Sequence, residues 1–266
     1  MLKISGLTKR YADVIALDGV SFAIDKPGLV AVIGRSGAGK STLLRMINRL
    51  DTPTGGGISF DDEDILTLNG AALRRWRASA AMIFQGFNLA PRLDVLTNVL
   101  VGASVETPAL RRFCGLHRDA DRLRAAAHLD DLGLLDKALM RAENLSGGQQ
   151  QRVAIARALM QRPRLVLADE PVASLDPQNA TIVMDTLAQI ARERGIPVLC
   201  NLHSLELARK YANHAIGLSA GKVVFDGPIA DLTEAAAARV YGIELPSAAP
   251  KRAADPAQAR IVELAR

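Results

Sequence analysis

The chain has 266 residues, of which 49% are hydrophobic and 23% are charged, and its formal net charge is +5. This length suits one large domain or two small ones with a buried core. We expect a soluble protein, because the sequence shows no signal-peptide pattern and no apolar run near the roughly 20 residues that span a bilayer. The basic residues are spread along the sequence, so the charge predicts a mildly basic surface and no nucleic-acid partner.

The N-terminal residues predict two kinds of strand. Residues 2–5 and 16–24 alternate between apolar and polar side chains, which is typical of half-buried antiparallel strands. Residues 29–33 are continuously apolar, as in a strand of a parallel sheet that is buried on both faces. A glycine-rich turn follows, and the apolar spacing over residues 41–50 predicts a helix.

Further apolar runs at residues 80–84, 165–168 and 198–202 alternate with helical patterns at 121–132, 148–161 and 178–194. This alternation predicts a parallel sheet with crossover helices. Residues 88–144 are mostly helical in pattern, which indicates a helical subdomain, at about 88–160, inserted into the sheet domain. Residues 216–218 and 222–225 predict a closing hairpin. We therefore expect one domain over residues 1–245, followed by a linker and short tail over 246–266.

The glycine-rich turn matches the phosphate-loop pattern G-x-x-x-x-G-K-[ST] and lies between a predicted buried strand and a predicted helix. Its residues are Gly34, Arg35, Ser36, Gly37, Ala38, Gly39, Lys40, Ser41 and Thr42. Backbone N–H groups of such a loop, with the positive end of the helix, bind phosphates. Lys40 adds a positive charge for the phosphates and Ser41 a hydroxyl for Mg²⁺. The pattern predicts a nucleotide site.

A second chemical signal is the pair of adjacent acids, Asp169 and Glu170, which ends the apolar run 165–168. The carboxyl ends of strands are where an open α/β sheet places its ligand. Asp169 is then a candidate Mg²⁺ ligand, directly or through water, and Glu170 is a candidate base for the water that attacks the γ-phosphate.

A third signal precedes the helical pattern at 148–161. Its residues are Leu145, Ser146, Gly147, Gly148 and Gln149. Ser146 is a suitable N-cap, and the glycines expose backbone N–H groups at the positive end of the helix. With the phosphate loop and the acid pair, this string resembles the signature of the ATP-binding-cassette ATPases. That resemblance implies a P-loop α/β fold with an N-terminal antiparallel subdomain, ATP and Mg²⁺ as ligands, and a head-to-tail homodimer in which each signature closes over the partner's ATP.

The resemblance also assigns roles to residues that would be weak signals alone. Tyr11 takes the place of the aromatic residue that stacks on adenine, and Gln85 that of the glutamine that contacts Mg²⁺ and the attacking water. The loop at the dimer interface corresponds to Ser174, Leu175 and Asp176. His203 matches the histidine that contacts the γ-phosphate. The metal set implied in this way is Ser41, Gln85 and Asp169.

Several stretches further resemble the ATPase subunits of bacterial phosphonate importers, namely residues 84–89, 92–102, 111–116, 168–177 and 223–228. Gly86 departs from that group, which usually has Gln there. The resemblance implies transmembrane permease partners, an indirect periplasmic phosphonate-binding protein, and a location on the cytoplasmic face of the inner membrane. Alternatives are a phosphite, phosphate or polar amino-acid importer, an accessory cassette of carbon–phosphorus lyase, and a soluble cassette acting on DNA or ribosomes.

Overall fold

The structure is a computed structural model that describes residues 1–105 and 117–243. The predicted arm at 111–116 and the predicted tail at 246–266 lie outside the described residues. The strands are β1 Leu2–Tyr11, β2 Val14–Ile24, β3 Gly28–Ile33, β4 Gly55–Phe60, β5 Glu63–Asp64, β6 Ala80–Ile83, β7 Leu165–Ala168, β8 Pro197–Leu202, β9 His214–Ser219 and β10 Lys222–Pro228. The helices are α1 Lys40–Ile47, α2 Gly70–Ser79, α3 Val95–Leu100, α4 Asp119–Asp131, α5 Gly147–Leu159, α6 Pro177–Glu193, α7 Leu205–Tyr211 and α8 Glu234–Tyr241.

The central sheet has six strands in the order β10-β9-β3-β8-β7-β6. The pairs β9-β3, β3-β8, β8-β7 and β7-β6 are all parallel, and β10 joins the edge antiparallel to β9. The apolar runs at 80–84, 165–168 and 198–202 therefore lie in strands, and the predicted hairpin is β9-β10. The carboxyl ends of β3, β7 and β8 meet at one edge of this sheet, which is the edge where α/β sheets bind ligands.

The N-terminal strands form a second, antiparallel sheet in the order β2-β1-β4-β5. Its apolar face shares a core with α1 and with one face of the central sheet, through residues such as Leu17, Leu43 and Leu199. The opposite face of the central sheet packs against α5 and α6 in another apolar core. The predicted α/β fold with a mixed central sheet and an antiparallel N-terminal sheet is confirmed.

Between β6 and β7, the described residues form α3, α4 and α5 with short 3-10 turns and no named strand. Because α5 also contacts β6, this helical region is tied to the edge of the central sheet. Across residues 1–105 and 117–243, no helix combines the length and the apolar character that crossing a bilayer requires.

One predicted helix ends earlier than the apolar spacing indicated. The helix predicted over 41–50 ends at Ile47, and Arg49 follows with a left-handed φ of 60°. The N–H of Leu50 bonds to the carbonyl of Arg45 (2.9 Å) and the N–H of Arg49 to that of Met46 (3.0 Å). This is the Schellman arrangement that terminates helices, and apolar periodicity does not reveal it.

Candidate functional site

The segment between β3 and α1 is a loop whose glycines permit close backbone contacts. A Cβ on Gly34 would lie 2.3 Å from the carbonyl oxygen of Leu218, and one on Gly39 would lie 2.4 Å from that of Ala16. Both residues also have positive φ, at 151° and 102°. Larger residues at these two positions would collide with the backbone of β9 and β2, so glycine is required for the loop to reach this conformation.

Lys40 begins α1 and turns back across the loop. Its Nζ donates hydrogen bonds to the carbonyl oxygens of Gly34 (2.9 Å) and Arg35 (3.0 Å). Burial lowers the pKa of Lys40, while the charges of Glu170 and Asp169 oppose this shift. The lysine charge thus lies in the field of both acids, at the carboxyl edge of the sheet.

The N-terminus of α1 follows Gly39, and no side chain of residues 1–105 and 117–243 caps it. Its first turn also contains no acidic residue. The first N–H groups of a helix need a partner from outside the helix, and together they carry a partial positive charge. The start of α1 therefore offers N–H donors and positive potential to an anion.

Three elements meet at one oxygen atom of Asp169, which follows β7. Ser41 Oγ, in α1, donates to Asp169 Oδ1 at 2.7 Å, and Asn201 Nδ2, in β8, donates to the same oxygen at 2.6 Å. Sequence reasoning predicted Ser41 and Asp169 at this site and missed Asn201. The available signal was a polar residue inside the otherwise apolar strand β8, two positions before His203.

Glu170 and His203 also lie in contact. His203 Nε2 is 2.6 Å from Glu170 Oε1, with the glutamate mostly shielded from solvent and the histidine half-exposed. Glu170 has a left-handed φ of 51°, which is costly for a residue with a Cβ. Glu170 adopts this conformation where the chain leaves β7, and its carboxylate lies against His203.

Tyr11 lies at the end of β1, near the start of α1, and its side chain is braced by two neighbours. The hydroxyl donates to Asp51 Oδ2, and Lys9 Nζ lies 4.6 Å from the ring centroid. Burial and then the hydrogen bond with Asp51 raise the pKa of Tyr11, whereas the Thr42 side chain opposes the shift. The residue remains 42% exposed, so the ring is available for stacking.

Gln85 lies in the exposed turn after β6, and α5 holds the residues that follow it. Arg157 Nη2 donates to the carbonyl oxygen of Phe87 at 2.7 Å, and its Nη1 donates to that of Asn88. Phe87 and Asn88 both have left-handed φ values, 57° and 51°. Arg157 therefore fixes an unusual backbone turn and connects the Gln85 segment to the helical region, a contact that sequence reasoning missed.

The predicted signature lies at the start of α5 as a capping box. Ser146 Oγ accepts from the N–H of Gln149, and Gln149 Oε1 accepts from the N–H of Ser146 at 3.0 Å. Leu145 is buried beneath this turn, whereas Ser146 is exposed. The hydroxyl of Ser146 thus faces solvent at the positive end of α5.

The loop with Ser174, Leu175 and Asp176 leads into α6 and packs against the signature. Asp176 caps α6, accepting from the N–H groups of Gln178 and Asn179, and Asn179 Nδ2 donates to its Oδ2 at 2.6 Å. The same Asn179 side chain lies against Gly148, where a Cβ would be 2.3 Å from Asn179 Oδ1. Asn179, also missed from the sequence, joins this loop to the start of α5.

The structure thus brings together Lys40, Ser41, Asp169, Glu170 and His203 at one edge of the central sheet. Within residues 1–105 and 117–243, no hydrogen bond or ion pair joins residues 145–149 to the loop 34–42. Among the described residues, the loop 34–42 and the predicted signature therefore share no polar contact.

Comparisons with known proteins agree with this geometry. The profile of the family described as ABC transporter matches residues 17–173. The chain is 56% identical over 244 residues to the "Phosphonates import ATP-binding protein PhnC 2" of Rhodopseudomonas palustris, covering 92% of this chain and 90% of that protein. It is 52% identical over 244 residues to the "Phosphonates import ATP-binding protein PhnC" of Ruegeria pomeroyi, covering 92% and 89%.

Solved structures give the same fold. A dimeric ATP-binding cassette in a post-hydrolysis state with ADP and Pi superposes with a TM-score of 0.76 and 33% sequence identity, covering 86% of this chain and 99% of that one. A cassette from Clostridium perfringens that is part of an ABC transporter complex superposes with a TM-score of 0.77 and 27% identity, covering 98% of each chain.

Proposed function

The chain belongs to the ABC transporter family, and from that membership we propose that it is the ATP-hydrolysing subunit of a phosphonate importer. The observation that carries the substrate class is the 56% identity, over 92% of the chain, to a phosphonate import ATP-binding protein. The side-chain cluster at the sheet edge supports the hydrolytic part of this proposal independently of any relative.

We propose that the loop formed by residues 34–42 binds the β- and γ-phosphates of ATP. The uncapped start of α1 and the charge of Lys40 suit a polyanion. Tyr11, braced by Asp51 and Lys9, stacks on the adenine. Because Lys9 lies over one face of the Tyr11 ring, the adenine takes the opposite face.

The oxygen atoms at the sheet edge fit a magnesium site. The donor set is the hydroxyl of Ser41, the carboxylate of Asp169 and the side-chain oxygen of Gln85, and Mg²⁺ prefers few protein oxygens completed by water and substrate phosphates. When bound, Mg²⁺ neutralises charge on the β- and γ-phosphates. Ser41 and Asp169 are already hydrogen-bonded to each other, so this part of the donor set is pre-assembled.

Glu170 is proposed as the base that orients the attacking water, and His203 as the contact to the γ-phosphate. Their 2.6 Å contact lets each restrain the other, so the histidine holds the carboxylate in a defined orientation. Gln85, in the turn after β6, would contact the attacking water and Mg²⁺. Since Arg157 fixes the turn after Gln85, movement of α5 reaches this side of the site.

The signature, residues 145–149, is proposed to close over ATP held by a second copy of the chain. Its exposed Ser146 hydroxyl and the positive end of α5 suit the γ-phosphate of the partner's ATP. The loop with Ser174, Leu175 and Asp176 then lies at the interface. A related cassette forms such a dimer with ADP and Pi, which supports a homodimer here.

For the assembly, we propose transmembrane permease subunits in the inner membrane, contacted from the cytoplasmic face, and a periplasmic phosphonate-binding protein that acts indirectly. Residues 88–160 act as a helical subdomain within a cassette of residues 1–245. The turn after Gln85, where Gly86 replaces the glutamine usual in phosphonate importers, is the proposed link to the permease.

Replacing Glu170 by glutamine tests the hydrolytic assignment. The variant Glu170→Gln keeps the size of the side chain but removes the base, so kcat falls by about 10²–10⁴-fold while ATP still binds. The control is Glu206→Gln, an exposed acid in the first turn of α7, which leaves kcat unchanged. A Glu170→Gln variant with wild-type turnover would remove Glu170 from the mechanism.

The substrate class is tested in the reconstituted transporter with its permease and binding protein. ATPase activity is measured with phosphonates, phosphite, phosphate and polar amino acids in turn. We expect phosphonates to stimulate the ATPase activity most strongly and amino acids not to stimulate it. Co-purification with carbon–phosphorus lyase subunits instead of a permease would favour an accessory cassette and contradict the importer assignment.

A further inference from the structure

Asn201 is a fully buried polar residue in an otherwise apolar strand. It lies in β8, pairs with Val32 of β3, and has 0% exposure, while the other residues of β8 are proline, valine, leucine and cysteine. Burying an amide costs free energy unless its groups are hydrogen-bonded. Its presence at the carboxyl end of the strand therefore points to a function rather than to packing.

The amide group contacts the proposed magnesium ligand directly. Asn201 Nδ2 donates to Asp169 Oδ1 at 2.6 Å, and Ser41 Oγ donates to the same atom at 2.7 Å. An ionised carboxylate only accepts hydrogen bonds, so the amide must present its N–H group to Asp169. Both contacts reach Oδ1 and neither reaches Oδ2, which fixes the rotation of the carboxylate.

The other end of the amide is unsatisfied within residues 1–105 and 117–243. There, Asn201 Oδ1 is buried and accepts no hydrogen bond, a condition that destabilises a protein unless a ligand or water satisfies it. Asn201 also lines a cavity together with Glu170, His203 and Ser204. An unsatisfied acceptor beside these residues is suited to a water molecule that enters with the nucleotide.

We propose that Asn201 is a positioning residue that holds Asp169 in the rotamer required for Mg²⁺, and that its free Oδ1 accepts a hydrogen bond from a water molecule brought in with the metal and nucleotide. This inference rests on the proposed function, since it assumes that Asp169 serves the metal. Asn201 acts through Asp169, and its removal affects the affinity for metal-bound nucleotide more than the affinity for nucleotide alone.

The test measures the Kd of a non-hydrolysable ATP analogue for the full chain, once with Mg²⁺ and once with EDTA. Asn201→Leu removes both amide functions at similar volume. The Mg²⁺ gain is the ratio of the Kd in EDTA to the Kd in Mg²⁺. In Asn201→Leu this gain should fall about tenfold, as for other residues that orient metal ligands. The affinity in EDTA should stay within about twofold of wild type. Asn201→Ala, with a different volume change, should give the same pattern.

Leu199→Val is the matched control. Leu199 lies two residues earlier on the same face of β8, and none of its described contacts is a hydrogen bond to Asp169. The Mg²⁺ gain of this variant should equal that of wild type. Equal losses of affinity with and without Mg²⁺ in both Asn201 variants, or no loss of affinity, would overturn the inference.

The variant Asp169→Asn separates the proposal for Asn201 from the proposed function. If Asp169→Asn loses the Mg²⁺ gain and Asn201→Leu keeps it, the role of Asn201 alone is wrong. If Asp169→Asn keeps the gain, the metal assignment of Asp169 is wrong as well.

Discussion

The helix α1 follows Gly39 and the helix α5 begins at Gly147, and both present a positive end, yet their N-termini are built differently. In the part of the chain that the structure describes, the start of α1 has no side-chain cap. The start of α5 is closed by the capping box of Ser146 and Gln149. Caps stabilise a helix by accepting hydrogen bonds from its first N–H groups. The first N–H groups of α1 are therefore left for a ligand, whereas the capping box of α5 satisfies the N–H of Gln149.

The start of α1 belongs to a site whose described residues all come from one chain. The start of α5 is a surface that its own capping box stabilises without a ligand. Around α1, Ser41 and Asn201 of β8 both donate to Asp169, which follows β7 and whose charge acts on Lys40. Around α5, the capping box satisfies the N–H of Gln149, and the Ser146 hydroxyl with the positive helix end is left for a phosphate. Under the proposed function, the start of α5 depends on a second copy to supply the nucleotide.

The largest predicted effect tests whether the starts of α1 and α5 act in the same ATP site from two different copies of the chain. Two inactive variants are mixed. Lys40→Ala removes the charge of the phosphate loop. Ser146→Asp keeps an N-cap of equal quality but places a negative charge toward the partner's γ-phosphate. Each variant alone should lose ATPase activity by about 100-fold. Unfolded and refolded together in equal amounts, they form heterodimers with one intact site, and about a quarter of wild-type activity returns.

The control for this mixture is Ser146→Ala, which lowers helix stability by about 1 kcal/mol but introduces no repulsion. It should retain more activity than Ser146→Asp although it is less stable. Activity of the mixture no higher than that of the separate variants would contradict a site shared between two copies.

The same comparison shows what the sequence can reveal. The phosphate loop, the acid pair and the capping box are local patterns, so their positions at a strand end or a helix start could be predicted. Asn201, Arg157 and Asn179 could not, because each acts on a residue 31 or more positions away, at Asp169, Asn88 and Gly148. Only the packing of β8, α5 and α6 creates these contacts.

A smaller effect is expected from Gly148→Ala, which tests how α5 is held in place. The new Cβ would lie 2.3 Å from Asn179 Oδ1, so that side chain must move and lose its hydrogen bond to Asp176. Overpacking of this kind lowers the free energy of unfolding by about 1–3 kcal/mol. Urea unfolding measures the loss.

Two further variants identify the cause. In Gly147→Ala the new Cβ would lie 3.4 Å from Leu175 Cδ2, an ordinary contact, so the loss should be smaller. Adding Asn179→Ala to Gly148→Ala removes the collision, and the double variant should be more stable than the sum of the single effects indicates. Additive losses would show that Asn179 does not determine the position of α5.

The smallest effect concerns the acid sensitivity of the helical region that carries α5. His128 in α4 is buried, and α4 packs against α5. Among the described residues its Nδ1 has no hydrogen-bond partner, and the carboxylate of Asp131 lies 3.9 Å away. Burial, and then the charge of Arg194, lower the pKa of His128, with Asp131 opposing the shift. Between this lowered pKa and the unfolded value of about 6.5, the unfolded chain binds more protons than the folded one. Stability should therefore be constant above that range, fall by at most about 1.4 kcal/mol per pH unit as the pH drops through it, and be constant again below the lowered pKa of His128.

In His128→Leu this contribution is absent, so the difference in urea-unfolding free energy between pH 7.5 and 5.5 should shrink relative to wild type. Hydrogen exchange locates the effect: acidification of the wild-type chain should raise exchange in α4 and α5 more than in β3 and α1, and His128→Leu should reduce that contrast. Equal acid-induced exchange in both regions would mean that the two helix N-termini share one cooperative unit. A contrast that His128→Leu abolishes would show that the helical region with α5 opens separately from the region of β3 and α1, because its packing depends on the buried, neutral imidazole of His128.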